Sequence, residues 1–489
     1  MSLFPKIKQT VQLALPIVVG ELGVMLMGLA DTIQVGQMST GAAGSLGASG
    51  MAQSIFFTIA IIGIICIQIV SPMVSKAVAE GDKTECGNLL RANLRVATFL
   101  GLITILITYL VSLNYDLFGQ TEANKALTLP FLSLISVSVL PIFWFIALKS
   151  FMDGLQRTTV GMTITIIALA LNVFGNHLLI NGLWGLPALG LFGSGISTLL
   201  SRLFMAGTLT IYVFTREEFK PYLKKGHVHV VKNVLEKNIL RIGIPSGMQG
   251  FFEIATFGMA VVMMGWISVT AQAAHIVAIN MASITYMMAT GIAVAGGINV
   301  GTAIGERNRA GIIESGKAAL ILSLLFMGAC ALLFFFGREY LVRGYTQELP
   351  VIEIAVTLVV WGAIFQLFDG IQAVSLGLLR GLQDYKIPTA ITIISYWGVG
   401  IPLCYYIGIY EKVGAVGIWV GLTASLVCSS VLLSWRFYAR AKTIKFEEVG
   451  GRINFKEQSS KNKVQRAKFK GGIAEGDSFF ILCALCSIL

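Results

Sequence analysis

"DGLQRTTVGMTITII", from Asp153 to Ile167, comes back as "RGLQDYKIPTAITII", from Arg380 to Ile394, with Gly-Leu-Gln and Ile-Thr-Ile-Ile in register. Two further pairs keep the same spacing, within a few residues of 227. "ALPIVVGELG" around Pro16 returns as "GIPSGMQGFF" around Pro245, and "AVAEGDKTECGNLLRANL" is echoed by "TAIGERNRAGIIESGKAAL". The chain is a weak tandem duplication, so its fold follows from what one copy contains.

Each copy is mostly apolar. Of 489 residues, 55% are hydrophobic and 12% charged, about half the charge of a soluble protein. Mean hydropathy is +0.79. A helix of about 20 apolar residues crosses a bilayer. Such runs begin near Thr10, Gln53, Val96, Leu129, Gly161, Gly190, Leu240, Gln272, Ala318, Val351, Pro388 and Gly414. They predict an all-α polytopic membrane protein of twelve transmembrane helices, six per repeat. The first run is too long for a cleaved signal sequence, and "MGLADTIQVG" offers no A-x-A site.

Charge gives the orientation. The N-terminus and the even-numbered loops hold twenty Lys and Arg, Lys149 and Arg380 among them. The odd-numbered loops hold four: Lys125, Arg338, Arg343 and Lys412. The positive-inside rule then puts both termini in the cytoplasm of a multi-pass plasma membrane protein, the bacterial inner membrane in a bacterium. The net charge of +11 does not point to nucleic acid, because 11 of the 36 basic residues lie from Arg436 onward and most others sit in short loops. Seven cysteines show no paired spacing, and Cys483-x-x-Cys486 is half a zinc site without partners.

Six is even, so both copies enter from the same side, as parallel repeats that transporters place around a substrate site. The sequence divides into an N-terminal six-helix lobe (1–214), a basic cytoplasmic linker (215–238), a C-terminal six-helix lobe (239–440) and a basic tail (441–489). The tail's close, "FFILCALCSIL", is too short to span and reads as an interfacial anchor or as sequence foreign to the chain.

Ionisable side chains within a span usually carry function. Those well inside are Glu21, Asp31, Arg202, Glu253, His275 and Asp369. Acids outnumber bases, which suits a cationic cargo. Glu21 is as suited to pairing with a neighbouring helix as to function. Arg202 is suited to neutralising an acid or snorkelling, and His275 to a helix–helix hydrogen bond. Asp31, Glu253 and Asp369 are the functional candidates. They do not coincide under the repeat: Asp31 falls on Ala260, Glu253 on Val24 and Asp369 on Ile142, so each half has its own task. Gln249, Asn280, Gln366 and Gln372 supply oxygens for a sodium shell or helix–helix glue. Met259 opens a methionine-rich stretch that lines an adaptable pocket or fills gaps.

Enzyme motifs are missing. "GIIESGKA" at Gly311 resembles a phosphate loop, but Ala318 stands where Ser or Thr is required. Without a nucleotide site, energy comes from an ion gradient, about 2.3 kcal/mol per charge per 100 mV.

"ADTIQVGQMS" (Ala30–Ser39), "GIPSGMQGFFEIATFGMAVVMM" (Gly243–Met264) and "FQLFDGIQAVSLGLLRGLQD" (Phe365–Asp384) together resemble the multidrug and toxic compound extrusion (MATE) family, in its NorM-like branch. The resemblance covers roughly residues 6–440. It implies two six-helix lobes forming a V around a cavity, and export of cationic amphipathic compounds in exchange for sodium or protons. It implies no cofactor beyond the coupling ion, no nucleic-acid partner and a monomer in the lipid bilayer. Glu253 and Asp369 match the family's cation site, and Asp31 matches an aspartate tied to proton coupling in the DinF branch. Phe365 stands where a NorM-like relative has a tyrosine, which removes a possible hydroxyl ligand from a sodium site. Rival readings are a lipid or lipid-linked precursor flippase of the wider superfamily, which calls for a strongly basic cavity, and a passive channel.

Overall fold

The structure is a computed structural model that describes residues 3–38, 41–185, 187–223, 232–444 and 446. Twelve helices are long and apolar enough to cross a membrane: α1 (Phe4–Gly36), α2 (Gly44–Ala79), α3 (Lys83–Leu113), α4 (Glu122–Gly154), α5 (Thr158–Asn181) and α6 (Gly190–Thr215) precede the connection. After it come α7 (Val234–Ile267), α8 (Val269–Gly305), α9 (Arg309–Arg343), α10 (Leu349–Gly381), α11 (Lys386–Tyr410) and α12 (Ala415–Thr443). No strand occurs among the described residues. Leu102, Leu106, Leu325, Leu332 and Phe336 stand exposed along these helices, an apolar surface that suits lipid and not water. The protein is a multi-pass membrane protein.

Sequence and structure agree on the number of spans, but half of the helices start well before the apolar runs do. The extra turns carry charge, as in "KTECGNLLRANLR" at the start of α3. Many of the basic residues counted above as loop residues therefore lie on helices. Two matter for the site, Lys149 within α4 and Arg380 within α10. The linker's middle (224–231) and nearly all of the tail beyond Ile444 fall outside the described residues.

The repeated Gly-Leu-Gln proves to be a helix end. Gln156 and Gln383 both sit at positive φ (61° and 55°). At each, the glutamine's own amide and the next one turn back onto the helix: Gln156 N–H to Asp153 O and Arg157 N–H to Met152 O, both at 2.9 Å, then Gln383 N–H to Arg380 O at 3.0 Å and Asp384 N–H to Leu379 O at 2.9 Å. This left-handed cap satisfies carbonyls that a helix end leaves bare. Gly81 and Arg307 repeat the arrangement. Asp82 and Asn308 then cap α3 and α9 by accepting from Glu85 N–H (2.8 Å) and Gly311 N–H (2.9 Å). The duplication thus survives best where the backbone geometry is most demanding.

One hydrophobic cluster runs through α1–α6 and takes in Ile239 and Ile242 of α7, and another fills α7–α12. A third joins Leu13, Ala14 and Ile17 of α1 to α8, α9, α10 and α12. The hydrogen bonds and ion pairs seen between the halves all lie toward the end of the bundle where α1 begins. They include Ser75 Oγ to Ile298 O (3.0 Å), Asn299 Nδ2 to Thr10 Oγ1 (3.1 Å) and Arg95 with Glu236. Small residues allow the backbones to meet there. A Cβ on Gly247 would stand 2.6 Å from Ile62 O, one on Gly243 only 2.1 Å from Cys66 Sγ, and one on Gly291 2.3 Å from Val18 Cγ2.

Candidate functional site

In the first half, Asp31 is buried on α1 (5% exposed). Asn176 Nδ2 of α5 donates to its Oδ1 at 2.6 Å, and Thr198 Oγ1 of α6 donates to Oδ2 at 2.9 Å. Asn172, one turn from Asn176, donates to Thr198 Oγ1 at 3.5 Å. The side-chain carbonyl oxygens of Asn172 and Asn176 are buried without a partner. Arg202, one turn beyond Thr198, acts electrostatically on Asp31. Its Nη1 donates to Ser138 Oγ at 2.6 Å, and its guanidinium lies 5.2 Å from the Phe56 ring centre. Ser138 sits at the break between the two helical segments of α4.

The second half assembles Glu253 on α7 and Asp369 on α10, with 6% and 4% exposure. Around Glu253 stand Gln249 Nε2 at 3.5 Å, Tyr286 OH at 3.4 Å and Tyr396 OH at 3.5 Å. These distances are long for hydrogen bonds, so the ring of donors is loose. Tyr396 donates a shorter bond, 3.0 Å, to Gln372 Oε1. It lies in a widened π-helical turn of α11, Ile394–Gly400, a distortion often found at functional sites. The charge of Glu253 reaches Asp369. Asp369 Oδ1 is buried without a hydrogen-bond partner, as is Ser323 Oγ of α9. A Cβ on the adjacent Gly370 would meet Ser323 Oγ at 2.8 Å, so α9 presses against α10 beside the acid. Gln366 accepts from Thr285 Oγ1 at 3.0 Å, and its Nε2 is unpartnered.

Phe365 carries no hydroxyl but holds the wall: its ring packs edge-on to Phe257 (6.0 Å) and Trp419 (5.4 Å). Met259 packs on the same cluster. The hydroxyls at Glu253 come instead from Tyr286 and Tyr396, which the sequence did not single out. Asn280 stands apart, exposed on α8. His275 makes a helix–helix bond: Trp419 Nε1 donates to its Nδ1 at 3.1 Å, which puts the ring proton on Nε2.

Glu21 pairs with Lys149 Nζ at 3.0 Å, and Lys149 also reaches Asp153 Oδ2 at 3.3 Å. Lys149 of this triad and Arg380 thus add two bases to Arg202, the one Lys or Arg that the sequence placed well inside a span. Arg380 is half-buried at the end of α10 and donates through Nη2 to Gln249 Oε1 at 3.5 Å.

A profile of the MatE family matches twice, at residues 16–178 and 245–406. The chain belongs to the MatE family. Its two matches sit one repeat apart, so the duplication is that of the family unit. Relatives named "Probable multidrug resistance protein NorM" include one from Pseudomonas putida, 32% identical, covering 90% of this chain and 96% of its own length. Another, from Mesorhizobium japonicum, is 31% identical with 89% and 94% coverage. Among solved structures, the eukaryotic MATE transporter AtDTX14 superposes with a TM-score of 0.80 at 15% identity, covering 90% of this chain and 98% of its own. A Pyrococcus furiosus transporter of the MOP superfamily, described as having a binding pocket of reverse polarity, gives 0.80 at 16% identity with 89% and 96% coverage. A fold shared with a pocket of that description does not assign a cargo. This MatE chain is a transporter, not an enzyme.

Proposed function

We propose that this MatE chain is a cation-coupled antiporter that exports cationic, amphipathic drugs or toxic organic compounds by alternating access between two six-helix lobes. The observation that carries the reading is the Glu253 and Asp369 pair, two buried carboxylates of which one keeps an oxygen without a donor. A carboxylate out of water is costly unless a cation or a proton compensates it. That demand can be met in turn by sodium or a proton and by a cationic cargo. The two then exclude each other and drive exchange if each favours a different arrangement of the lobes. The multidrug resistance naming of relatives at about 30% identity supports the cargo class.

The lobes are residues 1–214 and 239–440, joined by 215–238, and the chain works as a monomer with both termini in the cytoplasm of the plasma membrane. On this reading the lobes meet at the cytoplasmic end. Glu253 and Asp369 hold sodium in the sodium-coupled version, with Gln249, Gln366, Gln372 and the two tyrosine hydroxyls around them. Asp31 answers to protons. The buried bases do not make a basic cavity of the kind a pyrophosphate flippase needs: Lys149 is tied to two acids, and Arg202 and Arg380 each act on one.

The test is efflux of a fluorescent cationic dye from proteoliposomes under a sodium gradient or a pH gradient imposed separately. Sodium-driven efflux lost in E253Q and D369N supports the second-half site as the coupling site. Efflux driven only by protons and lost in D31N moves coupling to the first half. Dye flux indifferent to both gradients would sink the antiporter reading in favour of a passive channel.

A further inference from the structure

We propose that Arg380 is a tethered counter-cation of the Glu253 and Asp369 cluster, a positioning residue that sets at one the net positive charge the cluster takes up. The inference rests on the cation-site reading above and goes beyond it by fixing the charge count. Arg380 follows Asp369 by eleven residues on α10. That is three turns, so the two share a helix face about 16 Å apart along the axis. On α7, Gln249 and Glu253 stand one turn apart on a common face in the same way. The two helices thus place a base at the level of Gln249 and an acid beyond it.

The links are specific. Arg380 Nη2 lies 3.5 Å from Gln249 Oε1, and Gln249 Nε2 lies 3.5 Å from Glu253 Oε2. At these lengths the amide is a loose bridge, and the direct effect of one charge on the other carries more weight. Arg380 Nε is buried with no acceptor, so the guanidinium has a donor to spare beside an acid ringed by long bonds. A guanidinium keeps its charge under all working conditions. Its height is fixed as well. A Cβ on Gly377 would stand 2.2 Å from Ala293 O, and one on Gly381 2.7 Å from Gly297 O. This seam locks the end of α10 against α8, so the base cannot slide away with a loop.

With both acids ionised, the cluster sums to minus one: two carboxylates and one guanidinium. One monovalent cation balances it. Without the guanidinium the sum is minus two, and the first cation is held more tightly and released more slowly. A unit charge on the order of 10–15 Å away, at an effective dielectric near 20, changes such an affinity by about tenfold.

The experiment measures dye efflux from proteoliposomes against the concentration of whichever cation drives it, for wild type, R380K, R380Q, E253Q and the double variant E253Q/R380Q. R380K keeps the half-saturating concentration within about twofold. R380Q lowers it about tenfold and lowers the maximal rate. E253Q, with Arg380 and Asp369 left to cancel, loses its cation response, and E253Q/R380Q, again at minus one, regains it. Loss of maximal rate in R380Q with an unshifted half-saturation, together with a double variant no better than E253Q, would overturn the inference. Should R380Q fail to accumulate, the comparison of E253Q with the double variant decides alone. A wild-type response that E253Q leaves intact sinks the cation-site reading itself, a different result from any of these.

Discussion

Asp31 and Glu253 are both carboxylates buried within spans, one in each half, yet the fold surrounds them differently. Asp31 accepts bonds of 2.6 and 2.9 Å and, among the described residues, has Arg202 as its charged neighbour. Glu253 has donors at 3.4 to 3.5 Å, a second acid in Asp369 and a base in Arg380. With every acid ionised, the first cluster sums to zero and is closed. The second then sums to minus one and is loose. Two repeats of one ancestral unit thus surround their acids in unlike ways, although their helix ends at Gln156 and Gln383 both keep a positive φ.

The comparison is broken most directly by neutralising the acids. E253Q and D369N should each reduce gradient-driven efflux by about a hundredfold, the scale of removing one member of a buried charge set, with the midpoint of thermal inactivation in detergent unchanged or raised. D31N should act on stability as well as on any proton-driven efflux, costing about 3 kcal/mol by leaving Arg202 unpaired. D31N/R202M should recover the inactivation midpoint. A stable D31N beside an unstable E253Q would invert the comparison. G247V, forced against the Ile62 carbonyl at the contact between halves, should cost about 1–3 kcal/mol and slow transport several-fold, while G258A, with open space around it, should change neither. The smallest effect is expected from F365Y. It sets a hydroxyl one turn before Asp369 and should lower the half-saturating cation concentration about threefold, the worth of one modest hydrogen bond.

The count of spans and the duplication were legible because both are written in long runs, and an apolar run of membrane length has few other meanings. The acids were legible because charge within such a run is rare. Their partners were not: Tyr286, Tyr396, Asn176 and Thr198 are polar residues of ordinary frequency in spans, and only the folded arrangement tells a ligand from packing. Lys149 and Arg380 were misread for a different reason. Both sit where the apolar run has ended but the helix has not, and hydropathy marks the end of the run.

The contact between Gly243 and Cys66 has a practical meaning. Cys66 is fully buried, with its sulfur filling the place a side chain on Gly243 would take. On the alternating-access reading proposed above, parting α7 from α2 uncovers that sulfur to a thiol reagent. The rate at which Cys66 becomes labelled, with and without the driving cation, would then serve as a clock for how often the two halves part.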